Sequence, residues 1–292
     1  MLVPSGMAAI AFATSRAYAD LAPDDRLAAD RLRVLGAIVR PVVWTEEITA
    51  LDGCSSVVIR SCWDYHLAPA QFLAWTEAAV AGGLSVRNSP EIVAWNTDKG
   101  YLREVASGGV AIPDTVWIER GVTADLARLL AERGWPRAVV KPAVSATAWR
   151  TFVTRPSTAV RDQQAFDEVL QHSGALVQVF MDGVTRLGEW SLIYFNGIFS
   201  HAVIKRPAPG DFRVQEEFGG WAEPHVPSAA LLEQAQHALR QAPGRPLYAR
   251  VDGVDVAGRF MLMELELIEP SLFLGTDSQA ADRFARAILA HQ

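Results

Sequence analysis

The chain has 292 residues and a mass of 31.8 kDa, about two domains' length. Half of its residues are apolar and 21% are charged, which excludes disorder as the dominant state. A net charge of −6, with no long run of like charges, excludes a general nucleic-acid binder, because such proteins carry a basic stripe. Two cysteines, Cys54 and Cys62, make neither a disulfide framework nor a CxxC zinc pair. No apolar run approaches the length of a membrane span. The apolar start, Met1 to Ala13, lacks a basic segment and does not read as a signal peptide. The expectation is a soluble cytoplasmic protein.

The first 90 residues alternate strand-like and helix-like stretches. Ala8–Thr14, Ile38–Trp44, Ser56–Ser61 and Leu84–Asn88 read as strands; Asp24–Leu35 and Gln71–Gly82 read as helices. Such alternation predicts a mainly parallel sheet covered on both faces. Ser89-Pro90-Glu91 combines an N-cap serine, a first-turn proline and an acid, so a helix is expected from there to about Ser107, stopped by Gly108-Gly109. A domain boundary is placed near residue 88. Next come helical patterns near Ala124–Arg133 and Asp162–His172, with strands Ala138–Lys141 and Ala175–Phe180. From Trp190 the chain turns antiparallel: Ser191–Phe195 and Phe199–Lys205 flank an Asn196-Gly197 type I′ turn. Ser228 caps a helix to about Gln241, and a last hairpin runs from Leu247 to Ile268.

That last hairpin carries the most informative chemistry. With Gly258 as the turn centre, Asp252 faces Glu264 and Arg250 faces Glu266, all on one face, while Val251, Met263, Leu265 and Leu267 form the apolar face. Glu264 and Glu266 stand roughly 6–7 Å apart along the strand. Like charges opposite each other destabilise a sheet. Arg250 neutralises only one of the three carboxylates, and a hard divalent cation such as Mg²⁺ is the natural remedy. A solvated acidic face is the alternative. Lys99, Lys141 at the end of a buried strand, Lys205-Arg206, Arg213 and Arg250 supply the cations that a phosphate ligand needs beside a metal.

The order of these features resembles the ATP-grasp superfamily, in the branch of glutathione synthetase and related peptide-forming ligases, over about residues 55–275. Asn96-Thr-Asp-Lys99 and Val139-Val-Lys-Pro142 look like its two phosphate-binding lysines. Val177-Gln-Val-Phe-Met181 looks like its adenine hinge (Gln178, Val179, Phe180 and Met181), and Gly188-Glu-Trp-Ser191 like the Gly-acid segment with Glu189. Lys205 to Gly220 resembles its basic loop over the triphosphate, with Arg213 the best match. Asp252 and Glu264-Leu-Glu266 match its acidic set for two Mg²⁺ ions. One departure is clear: Ala143-Val-Ser-Ala-Thr-Ala-Trp149 holds no glycine where the family often has a glycine-rich phosphate lid.

The resemblance implies an α/β ATP-grasp fold: an N-terminal parallel α/β domain (1–88), then an ATP-grasp domain (89–292) of two α+β subdomains clasping ATP, a lid at about 112–178 and an antiparallel part at about 179–292. It implies an ATP- and Mg²⁺-dependent carboxylate–amine ligase working through an acylphosphate, with Arg213 and Arg250 stabilising the developing charge. Its partner would be a small amino-acid-like substrate, with neither nucleic acid nor membrane involved, and relatives are often homo-oligomers. Arg60 and Ser61 at a strand end are candidates for substrate binding or for capping that junction. Asp64 or Glu269 would hold an amine; Glu269-Pro-Ser271 either holds substrate beside the metals or ends the strand. Ring closure of an O-ureido-serine to D-cycloserine is the specific candidate reaction. The competing readings are a non-catalytic nucleotide-binding module and a small-molecule kinase.

Overall fold

The computed structural model describes residues 8–214 and 218–290; residues 1–7, where the absence of a leader is expected, and 215–217, inside the predicted basic loop, lie outside that description. Strands β1 (Ala9–Thr14), β2 (Val39–Val43), β3 (Cys54–Ile59) and β4 (Ser85–Arg87) form a parallel sheet in the order β2-β1-β3-β4. Every residue of β1 is buried, because helices cover both faces and no polar alternation is needed. The helices of this segment are α1 (Pro23–Val34) and α2 (Pro69–Ala81), each opened by a proline.

The single helix expected from Ser89 is two helices, α3 (Pro90–Thr97) and α4 (Tyr101–Ser107). Ser89 does cap the first, accepting from the Ile92 N–H. Asp98 then leaves helical backbone, and its Oδ1 accepts from the Gly100 N–H, a local bond that competes with helix continuation. Lys99 therefore sits in a turn between helices, with its N–H on the Ala143 carbonyl, rather than within one.

Next, β5 (Thr115–Ile118), α5 (Leu126–Arg133), β6 (Ala138–Pro142), β7 (Phe152–Thr154), α6 (Ala159–His172) and β8 (Ala175–Val179) build an antiparallel sheet in the order β5-β8-β6-β7, with Leu126, Leu130, Phe166 and Val169 closing its core. The final sheet, β11-β10-β9-β12-β13, contains β9 (Glu189–Phe195), β10 (Ile198–Arg206), β11 (Trp221–Pro224), β12 (Tyr248–Val256) and β13 (Arg259–Glu266). The short α7 (Asp182–Leu187) precedes it, α8 (Ala229–Leu239) packs on it, and α9 (Ala280–Leu289) returns to α1. The expectations had missed β5, β7, β11, α7 and α9; α9 joins Phe284, Ala285 and Ile288 to a core shared by Ile10, Phe12, Ile193 and Tyr248. No helix among the described residues is long and apolar enough to cross a membrane.

The last hairpin reaches its expected acidic register by a different route. Its turn is Ala257-Gly258, both left-handed, so Val256 pairs with Arg259 and the pairs near the turn sum to 515, not 516. A bulge between Gly253 and Asp252 then inserts one residue on β13, and beyond it Asp252 faces Glu264 and Arg250 faces Glu266. Gly253 is required there: a Cβ would come 2.6 Å from the Met261 carbonyl oxygen and strike the Phe260 ring. The extra residue is Met263. It leaves the expected apolar core face and packs with Val184, Val214 and Val254 under the cleft.

Candidate active site

A large cleft lies where the three sheets meet, lined from the first sheet's loop by Trp63 and Tyr65, from the middle sheet by Val139, Lys141 and Val179, and from the last by Lys205, Asp252 and Glu264. The free edge of β13 is held from outside the sheet. The Asn96 side chain donates to the Leu265 carbonyl and accepts from the Leu267 N–H, and the Tyr101 hydroxyl accepts from the Leu265 N–H. Side chains thus stand in for a missing strand, and Glu264 and Glu266 are fixed facing the cleft.

Three cations pair with the carboxylates, and a fourth, Lys141, stands near them. Lys205 Nζ lies 2.7 Å from Glu189 and 2.9 Å from Asp252; Lys99 Nζ lies 3.1 Å from Glu264. Arg250 bonds both oxygens of Asp252, pairs with Glu266 and donates to the Ser271 carbonyl. Ser191 completes the Asp252 shell at 2.6 Å. Lys141 donates to the Gln178 side chain at 3.2 Å. Burial disfavours the charged form of Asp252, but Arg250 and Lys205 outweigh it and hold the carboxyl at about 2. Burial likewise opposes ionisation of Glu264, and Lys99 and Lys141 overcome it. At Glu266 burial wins: Arg250 offsets it only in part while Glu264 and Asp252 add to it, and the carboxyl is pushed up to about 7. Burial also lowers the Lys141 ammonium. Such opposed shifts in one cleft are a signature of functional sites.

The donor set suits a hard divalent cation: all-oxygen, with Glu264 and Glu266 open to the cleft and Asp252 opposite. Among the described residues no three His, Cys, Asp or Glu side chains gather closely enough to cage an ion alone. Mg²⁺, which takes a few carboxylates and completes its shell with phosphates and water, is the ion that fits.

Most predicted residues converge on this cleft: Lys99, Lys141, Val179, Phe180, Met181, Glu189, Lys205, Arg213, Arg250, Asp252, Glu264, Glu266, Glu269 and Ser271 all line it. Gln178 does not; its side chain is buried behind the hinge between Thr115 and Lys141. The Phe180 N–H is taken by the Arg137 carbonyl. Arg213 is paired with Asp211 at 2.8 Å and lies over the Phe218 ring.

Three substrate candidates are corrected. Arg60, 1% exposed, points into the core, where it pairs with Asp25, donates to the Pro270 carbonyl and lies 5.0 Å from the Tyr248 ring centroid. Ser61 is fully buried and donates to Asp25. Asp64 accepts from the Trp44 indole. All three lie off the cleft: Arg60 and Ser61 are buried with their charge and hydroxyl satisfied internally, and half-buried Asp64 is bonded to Trp44.

Ser145, Trp63 and Phe273 line the cleft but had escaped notice as site residues. Ser145 takes the Lys99 ammonium on its carbonyl (2.8 Å) and hydroxyl (3.1 Å), so the glycine-free loop is tied down at its start. Further along, Thr147, Ala148 and Arg150 adopt left-handed backbone without glycine, and Trp149 packs on His66. The three serine and threonine residues of 143–151 carry no motif that marks such a role.

Comparison with known proteins agrees with this architecture. A family model for the N-terminal domain of D-cycloserine synthetase DcsG matches residues 10–88. The chain is 30% identical over 271 residues to the cycloserine biosynthesis protein DcsG of Streptomyces lavendulae, covering 88% of this chain and 89% of that protein. The crystal structure of D-cycloserine synthetase DcsG is similar with a TM-score of 0.85 and 26% identity, over 97% of this chain and 99% of that one. The ATP-grasp ligase PsnB complexed with a minimal precursor, Mg and ADP is similar in fold, with a TM-score of 0.64 and 16% identity over 96% of this chain and 97% of that one. The shared fold and this level of identity together lead to one assignment: the chain belongs to the DcsG family of ATP-dependent ligases.

Proposed function

We propose that this ligase closes the D-cycloserine ring, activating the carboxylate of O-ureido-D-serine with ATP and displacing phosphate with the substrate's own ureido nitrogen. The observation that carries the reading is the face of β12 and β13 on which Asp252, Glu264 and Glu266 stand among Lys99, Lys205 and Arg250. With Lys141, this is a polyphosphate cradle rather than a peptide-cleaving or redox site.

The substrate carboxylate attacks the γ-phosphorus, ADP leaves, and an acylphosphate forms. The ureido nitrogen bonded to oxygen then attacks the acyl carbon, the C–O bond to phosphate breaks, and the nitrogen loses its proton to solvent. Water removes the carbamoyl group as carbamate and leaves the ring. Lys99, Lys141 and Lys205 hold the phosphates in line, which is most of what phosphoryl transfer requires. The hinge at Phe180 and Met181 receives the adenine, and Glu189 orients Lys205. Arg213 and Arg250 are fixed cations for charge that develops at the transferred group. Asp252, Glu264 and Glu266 would hold Mg²⁺, two ions on this reading, which would neutralise and orient the phosphate oxygens. Residues 1–88 contribute Trp63 and Tyr65 to the substrate side of the cleft, and 89–292 clasp the nucleotide and supply the rest of that side.

Incubation with MgATP and O-ureido-D-serine tests the proposal, with mass spectrometry of products beside an ADP assay. D-cycloserine formed one-for-one with ADP is expected, and Glu264→Gln abolishes both. ADP release with other amino acids but no D-cycloserine sinks the ring-closing reading, and a stable phosphorylated product makes the chain a kinase.

A further inference from the structure

The segment after β13 is held in an unusual way. Six consecutive carbonyls, residues 267–272, each accept a hydrogen bond from a side chain that reaches in from elsewhere. Asn88 serves Leu267, Tyr248 serves Ile268, Trp63 serves Glu269, Arg60 serves Pro270, Arg250 serves Ser271 and His201 serves Leu272. The distances run from 2.7 to 3.0 Å. Phe273 closes the segment in left-handed backbone at φ +51°. A non-glycine outlier that its surroundings over-determine is a mark of a functional segment.

What this scaffold presents to the cleft is the side chain of Glu269, with Trp63, Tyr65, Ser271 and Phe273 around it. Glu189, Asp252, Glu264 and Glu266, the other carboxylates lining the cleft, each have a Lys or Arg partner. Among the described residues Glu269 forms no ion pair. Lys99, the cation that acts on Glu269, is committed to Ser145 and Glu264. Glu269 stands beyond the Glu266 end of β13, on the side of the first sheet, away from the hinge at Val179–Met181. Nucleotide phosphates do not need a carboxylate there, and like charge would repel them. An organic cation would gain both an anion and aromatic walls.

We propose that Glu269 is the seat of the substrate's α-ammonium group, so that the site selects amino acids with a free amine and sets the reacting carboxylate toward Glu264 and Glu266. This deepens the ring-closing reading above and rests on it. Burial, reinforced by Glu266, holds the Glu269 carboxyl well above its ordinary value, and a neighbouring ammonium would lower it.

The test uses the product as probe. Calorimetric titration of the MgADP-loaded enzyme compares D-cycloserine with isoxazolidin-3-one, the same ring without its amine. Wild type is expected to prefer D-cycloserine by at least about tenfold, the scale of one hydrogen bond to a charged group. Glu269→Gln is expected to abolish that preference and to leave MgADP affinity unchanged. Steady-state kinetics should match: KM for O-ureido-D-serine rises at least about tenfold while KM for ATP holds. A Glu269→Gln enzyme that still prefers the amine overturns the inference and leaves the ligase intact. D-cycloserine that fails to bind wild type overturns the ring-closing reading and the inference with it. A variant that loses MgADP affinity as well makes Glu269 a residue of the nucleotide site, and the inference falls.

Discussion

Arg60 illustrates what a single buried charge does when it is not catalytic. Its guanidinium joins α1 through Asp25, the 269–272 segment through Pro270, and the Tyr248 ring. Removing one member of a buried pair strands the other, at a cost of about 3–5 kcal/mol. Arg60→Leu should therefore lower the melting temperature by about 5 °C or more in thermal unfolding, and Arg60→Leu with Asp25→Leu should recover part of it. His201 makes a pH-dependent contribution. Its Nε2–H donates to the Leu272 carbonyl, and Ser200 meets Nδ1. Burial, helped by Arg283 and opposed by the Leu272 bond and Asp277, lowers its pKa below the ordinary 6.5. The unfolded chain then binds a proton more readily than the folded one, so stability falls as pH drops below about 6.5. Melting curves from pH 7.5 to 5.5 should show that loss, and His201→Gln should reduce it.

At the scale of elements, the β12–β13 bulge decides which residues face the cleft. A turn near Gly258 was legible, though not its exact centre, as was an acid face at Asp252, Glu264 and Glu266. The bulge was not, because it depends on Gly253 packing against Phe260, a contact that no local pattern announces. Two offsets cancelled: the turn shifts the register one way and Met263 restores it. Gly253→Ala overpacks this point and should cost about 1–3 kcal/mol. It should also weaken MgATP binding, because Asp252 and Glu264 flank the displaced backbone. A variant with native melting temperature and native MgATP affinity would contradict the role given to the bulge. The break between α3 and α4 is a similar case: Ser89 signals the helix start plainly, but Asp98 ends it with one side-chain bond, which places Lys99 over the cleft.

For the whole molecule, the cleft is a store of opposed charge, and on the proposed function MgATP would complete it. Ligand that binds only the folded state stabilises it by mass action, about 2.7 kcal/mol at a hundredfold excess over Kd. A rise in melting temperature of about 5 °C is expected with MgATP. Lys141→Met should remove most of it, and chelation of Mg²⁺ should do the same for wild type. Calorimetry on the same samples separates lost binding from lost fold. The glycine-free lid belongs to this scale too. It is docked by Lys99 on Ser145 and by Trp149 on His66, which come from three separate parts of the chain.

By itself the sequence determined the alternation of the first sheet, both antiparallel hairpins, the family and the acidic face of the last hairpin. Those features rest on local periodicity, turn chemistry and motif order, which survive without knowledge of distant neighbours. Tertiary structure alone decided which polar groups face the cleft. Arg60, Ser61 and Asp64 look as available as Glu269 in the sequence, yet the first two are satisfied inside the protein, Asp64 is bonded to Trp44, and Glu269 is left facing the cleft. The physical reason is that a buried polar group takes whatever partner the fold brings within bonding distance. Arg60 meets Pro270 from 210 positions away.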